Sequence, residues 1–197
     1  MTRVSTGFVD RGAVTAAYVG IGMAITIVIS FLLIIPIEPV VWLLALPCGA
    51  LIGYYANQRS DRRAGPWSRI LRNGVFAALV TGLAIGLLLL GVKTIFFFAD
   101  TGYPNFNRVD RTGQPIPPSC ETGAHCVYSR YLALDRGPDL EAIGVADTAA
   151  FASFYWSQQR SVAGMLLVVT TVAGLGGAVA YGLTRPNVAQ PTVSASA

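Results

Sequence analysis

The chain has 197 residues, 53% of them hydrophobic and only 12% charged, with a formal net charge of +4 and a mean hydropathy of +0.56. A soluble domain carries about 25% charged residues, so this balance excludes a disordered chain and an ordinary soluble globule. A single domain of this length cannot bury so much apolar material in one core, and the excess has to face something other than water.

Residues 1–12, with Arg3 and Arg11, form a short basic lead-in. From Arg11 to Glu38 the chain is free of charge, and runs such as Ile25 to Ile29 are apolar on every face rather than striped. About 20 such residues of helix cross a bilayer core about 30 Å thick, which predicts a first span at 13–35. The stretch exceeds the roughly 7–15 apolar residues of a cleaved secretory signal and lacks a small-residue cleavage site, so it reads as a retained signal anchor. Pro36 and Pro39 mark a tight turn over 36–39. The second span, 40–57, follows, with Pro47 expected to kink it and Cys48 expected to be a buried small apolar residue.

A basic loop at 58–74 carries Arg59, Arg62, Arg63, Arg69 and Arg72 against one acid, Asp61. The third span, 75–98, is charge-free up to Lys93 and ends on Phe96, Phe97 and Phe98. A long loop at 99–160 then leads to a fourth charge-free span at 161–183 and a Pro-, Ser- and Ala-rich tail at 184–197, which reads as disordered. The predicted fold is an all-α integral membrane protein, a four-transmembrane-helix bundle with one large loop between helices 3 and 4.

Arg and Lys in short loops set orientation. With four spans, eight Arg and two acids fall on the side of the termini and the 58–74 loop, while eight acids and four Arg fall on the other. Both termini are therefore expected in the cytoplasm and the 99–160 loop outside, in the plasma membrane. The basic excess then belongs to the membrane rather than to nucleic acid. Arg62, Arg63 and Trp67 are expected among anionic headgroups, where each basic residue is worth about 1 kcal/mol. Thirteen Arg to one Lys, with abundant Ala and Gly, points to a GC-rich bacterial genome.

Within the outer loop, 99–118 is rich in Gly, Pro, Asn and Asp and reads as irregular. Cys120 and Cys126 are expected to form a disulfide outside the cell, stabilising the loop by roughly 2 kcal/mol. A metal site with His125 is the weaker alternative, because structural zinc sites use closer Cys pairs and a second pair. The segment from Pro138 to Gln159 is predicted helical, with Leu140, Ile143, Ala146, Ala150, Phe151 and Phe154 as its apolar stripe. Trp42, Tyr155 and Trp156 are placed in the aromatic belt at the membrane interface. Lys93 is expected to snorkel to that interface, or else to pair with Asp100 or a substrate anion.

Small residues carry the helix-packing signal. Gly49 with Gly53 and Gly82 with Gly86 are GxxxG pairs, and Ala173 with Gly177 repeats the spacing in span four. Such faces let helices approach closely, either within the bundle or against another subunit. Thr26, Thr81, Thr170 and Thr171 are expected to bond their own helices. The large second outer loop with its cysteines resembles tetraspanins in topology alone, since the Cys-Cys-Gly signature is absent. No catalytic, cofactor or metal motif stands out, and the expected role is non-enzymatic: an accessory or scaffold subunit, partnered or self-associating, that uses its outer loop. The alternative is a small permease or channel subunit for a neutral or amphipathic solute.

Overall fold

The structure is a computed structural model that describes residues 8–30, 38–60, 65–99, 122–133 and 135–185. Among these residues it is all-helical: α1 (Arg11–Val28), α2 (Glu38–Gln58), α3 (Trp67–Phe98), α4 (Ala124–Ala133), α5 (Gly137–Ala142) and α6 (Thr148–Thr184). Helices α1, α2, α3 and α6 are each long and apolar enough to cross a membrane.

Local chemistry sets the helix starts. Pro39 in the first turn of α2 and Pro66 just before α3 sit where a missing N–H costs nothing. Asp147 caps α6, its carboxylate accepting from the Ala150 amide at 2.8 Å. Pro47 lies inside α2, which continues past it to Gln58.

Two helices are longer than a bilayer core requires. At 1.5 Å per residue, the 32 residues of α3 and the 37 of α6 extend about 48 and 55 Å. Arg69 and Arg72, which the sequence puts in a loop, therefore form the first turns of α3. Helix α6 begins thirteen residues before the charge-free run, so that run and the segment preceding it are one rod.

The apolar stripe predicted through 138–159 does not continue as one helix. Gly144 adopts φ +80 and α6 restarts at the Asp147 cap, a left-handed turn that glycine makes without steric cost. Leu140 and Phe151 are buried on either side of the break, while Ile143 within it is 56% exposed.

In cross-section α1 and α6 occupy opposite corners, each packed against both α2 and α3, which also touch one another. Helix α6 runs antiparallel to α3: Gly86 faces Ala163, Gly82 faces Leu167 and Thr170, and Gly74 faces Ala178. It runs parallel to α2, where Gly49, Gly53 and Ala50 meet Thr170, Gly174 and Gly177. One end of the bundle (the basic end) gathers Asp10, Ser60, Gly65 and Arg185, tied by hydrogen bonds from Ser60 to Asp10 and from Arg185 to Gly65. The opposite end carries α4 and α5 as a cap.

Candidate functional site

The cap is built on the buried stripes of α3 and α6. Along α3 the core-facing residues run Ile85, Leu89, Lys93 and Phe97, and along α6 Phe151, Tyr155, Gln159 and Ala163, all at three- to four-residue spacing. Gly123, at φ +104, turns the chain into α4, and its amide donates to the Phe97 carbonyl at 3.0 Å. This bond fixes α4 to the end of α3. Cys126 and Arg130, one turn apart, form the buried face of α4.

Aromatic rings fill the space between. Phe151 is fully buried, with Tyr128 at 5.2 Å and Tyr131 at 5.0 Å between ring centroids. Phe97 meets Tyr155 at 5.0 Å and Trp156 at 5.1 Å. Leu140 and Val145 close the cluster from α5 and the turn after it. Such offset and edge contacts add about 0.5–1.5 kcal/mol per pair beyond burial. Burial also raises the Tyr131 phenol above its ordinary value, the nearby Arg136 charge opposing the shift.

The outward surface of the cap differs in character. Asp135, Asp139, Glu141 and Asp147 are exposed on α5 and its flanks, with Arg136 the basic residue among them. Leu132 and Ile143 are exposed alongside, 43% and 56% respectively. His125 is exposed, whereas its neighbour Cys126 is buried. Adjacent residues on a helix diverge in this way, so the two do not turn to one point. Cys120 lies outside the described residues, as do Arg62 and Arg63. Among the described residues no three His, Cys, Asp or Glu side chains cluster in a metal-binding arrangement.

At the basic end a polar clasp joins three helices. Asp10 accepts from Ser60 Oγ at 2.6 Å and from Asn73 Nδ2 at 3.1 Å through one carboxylate oxygen. Its amide donates to Asn73 Oδ1 at 3.2 Å. Asn57 donates to the carbonyls of Gly53 and Ile70, at 3.1 and 3.0 Å. Asn57, Ser60 and Asn73 are all nearly inaccessible. Buried amides need this full set of partners, since an unmet one costs about 1–3 kcal/mol. Nothing local in the sequence marks these residues; only the helix crossing brings them together. Around the clasp, Arg72 stacks over Phe8 at 4.8 Å, and Arg185 over Trp67 at 5.7 Å. The Nε atoms of Arg69 and Arg72 are buried without a hydrogen-bond partner.

Between the two ends the helices touch through backbone. A methyl on Gly53 would overlap the Gly174 carbonyl, and one on Gly177 the Ala50 carbonyl. Gly49 packs on Thr170 and Ala173, Gly82 on Thr170 and Leu167, and Gly86 on Ala163. The six small residues singled out from sequence thus lie on helix–helix contacts of one bundle. Gly74 and Gly174 complete that seam from positions outside the GxxxG pairs. Thr26, Thr81, Thr170 and Thr171 each donate to the carbonyl four residues back, as expected from sequence. Cys48 is buried, its sulfur 4.0 Å from that of Met23.

The residues expected at the interface divide. Trp67 is partly exposed at the start of α3, with its ring against Gly182. Trp42 and Trp156 are half-buried, packed on the core and the cap cluster respectively, and Tyr155 is buried. Lys93 is 6% exposed, on the core stripe between Leu89 and Phe97 and engaged with other groups. Its side chain is thus buried within the bundle, where the sequence expects it to reach an interface.

No protein-family model matches this chain, and comparison with curated proteins and with solved structures finds no match either.

Proposed function

We propose that this chain is a non-enzymatic multi-pass protein of the plasma membrane, an accessory or scaffold subunit that presents the cap outside the cell to another membrane protein. The observation that carries this is the backbone contact of α2, α3 and α6 just inside the basic end, where Gly53, Gly74 and Gly174 leave no side-chain width between helices. A solute path needs separable, group-lined surfaces, and a seam closed on glycine serves rigidity instead. The continuous α6 then transmits that rigidity to the cap.

Charge gives the orientation. The clustered Arg of the basic end is retained by the cytoplasmic side, where Arg69 and Arg72 meet anionic headgroups. Both termini then lie in the cytoplasm and the cap faces outward. A disulfide between Cys120 and Cys126 braces the start of α4 in that oxidising space. The exposed Leu132 and Ile143, set among Asp135, Asp139 and Glu141, fit a partner with apolar contacts rimmed by basic groups.

A photo-crosslinking residue at position 143 or 132, in the native membrane, tests the partnership. A discrete crosslinked species of defined mass is expected from both positions, and none from position 98. Uniform, non-discrete labelling, together with solute uptake by proteoliposomes of the purified chain, would favour the permease alternative. The cysteines report on the brace: Cys120 and Cys126 are expected to react with an impermeant maleimide only after reduction, and Cys48 not at all.

A further inference from the structure

Toward the cap end the seam between α3 and α6 opens on its outer side into a groove of about 220 Å³, lined by Gly82, Gly86, Leu90, Arg160, Ala163 and Gly164 among others. Its floor is the contact of Gly86 with Ala163. Gly164 opens it, since a methyl placed there would meet nothing within 4 Å. The flanking Leu83 and Leu87 are 51% and 59% exposed, so the groove faces whatever surrounds the bundle. From Arg160 to Leu167 it runs about 10 Å along the helix axis, most of the depth of one leaflet.

Arg160 stands at the mouth, exposed and bonded to no other described residue. Neither helix lining the groove contains an acidic residue: α3 has none from Trp67 to Phe98, and α6 none from Thr148 to Thr184. The guanidinium is therefore uncompensated by the walls of the site. Its depth is also defined. Arg160 and Arg185 are 25 residues apart in sequence, with one unbroken helix running from the first to the C-cap, which is about 37 Å. That length lies between the bilayer core, about 30 Å, and the full thickness with headgroups, about 40–45 Å. With Arg185 at one interface, Arg160 reaches the phosphate level of the other leaflet.

We propose that this groove binds an anionic phospholipid, one acyl chain lying against Gly86 and Gly164 and the headgroup phosphate paired with Arg160. Guanidinium and phosphate match as a two-pronged, charge-assisted pair. An anionic lipid is preferred because a zwitterionic headgroup brings its own cation to the phosphate that Arg160 binds. The inference rests on membrane placement of the four helices alone and is independent of any partner for the cap.

The full chain, purified in mild detergent with equal phosphatidylglycerol and phosphatidylcholine, is examined by native mass spectrometry. The wild type is expected to retain phosphatidylglycerol with about a tenfold preference. Arg160→Gln should bring the ratio to near parity while some lipid of either kind remains. Gly164→Leu should fill the groove and remove both, whereas Gly22→Leu, also at an open position, should leave the wild-type ratio unchanged. Equal retention of both lipids by the wild type would overturn the proposal, as would an unchanged ratio in Arg160→Gln. So would a wild-type dimer in crosslinking that Gly164→Leu abolishes, since the groove would then hold a helix of a second copy.

Discussion

At the scale of single residues, glycines divide into those that set helix distance and those that merely face outward. Gly53 meets the backbone of Gly174, while Gly22 has no neighbour within 4 Å. Gly53→Ala is expected to cost about 1–3 kcal/mol, because a carbonyl on a neighbouring helix cannot swing aside as a side chain does. In a thermal melt this lowers Tm by several degrees. Gly22→Ala should leave Tm unchanged or raise it, since alanine is the better helix former by about 0.5–1 kcal/mol. Equal losses from the two would contradict the assignment of the seam. The clasp makes a second residue-scale prediction. Asn73→Ala removes the acceptor of the Asp10 amide and one of two donors to a carboxylate oxygen that keeps Ser60, and should cost about 1–3 kcal/mol by the same melt. The small-residue contacts are half legible in sequence: the paired glycines announce themselves by spacing, but Gly74 and Gly174 do not. Asn57 and Asn73 are unreadable for a different reason. They lie on either side of the basic loop, and only the α2–α3 crossing brings Asn57 to Ile70 and to Asn73.

At the scale of elements, the four long helices are legible because a bilayer demands apolar length and removes charge from it, leaving gaps in the sequence that need no knowledge of packing. Their ends are less so. Helices α3 and α6 continue past the charge-free runs, where the apolar signal stops but the hydrogen-bond ladder does not. Helix α4 escapes notice because its buried face carries Cys126 and Arg130 rather than an apolar stripe, and Tyr128 and Tyr131 find their partner only when Phe151 is set opposite. Phe151→Ala is expected to cost about 3–5 kcal/mol and to release α4, seen as fast amide exchange over 124–133 with the four long helices still protected. Alkaline pH tests the same cluster. Burial raises the Tyr131 phenol, so its protonated form is favoured in the folded cap. The stabilisation is complete below the ordinary tyrosine value of about 10 and is lost as pH rises through the folded value. Tyr131→Phe should therefore weaken the alkaline loss of α4 protection. An identical pH profile in this variant would show that the phenol is free in solution.

For the whole molecule, a glycine-closed bundle, a clasped basic end and an aromatic cap are joined by one continuous α6, with four helices long and apolar enough to cross a membrane. Sidedness joins that geometry to the proposed role, because a cap in the cytoplasm would meet neither an extracellular partner nor an oxidising compartment. Position 125 is exposed on the cap, and position 184 closes α6 at the basic end. The direct measurement is labelling of single cysteines at these two positions, in a Cys48→Ala background with Cys120 and Cys126 left oxidised, by an impermeant maleimide on intact cells. His125→Cys is expected to label at once, and Thr184→Cys only after the membrane is permeabilised. The opposite pattern, or labelling of both positions in intact cells, would contradict the orientation and with it the outward-facing cap.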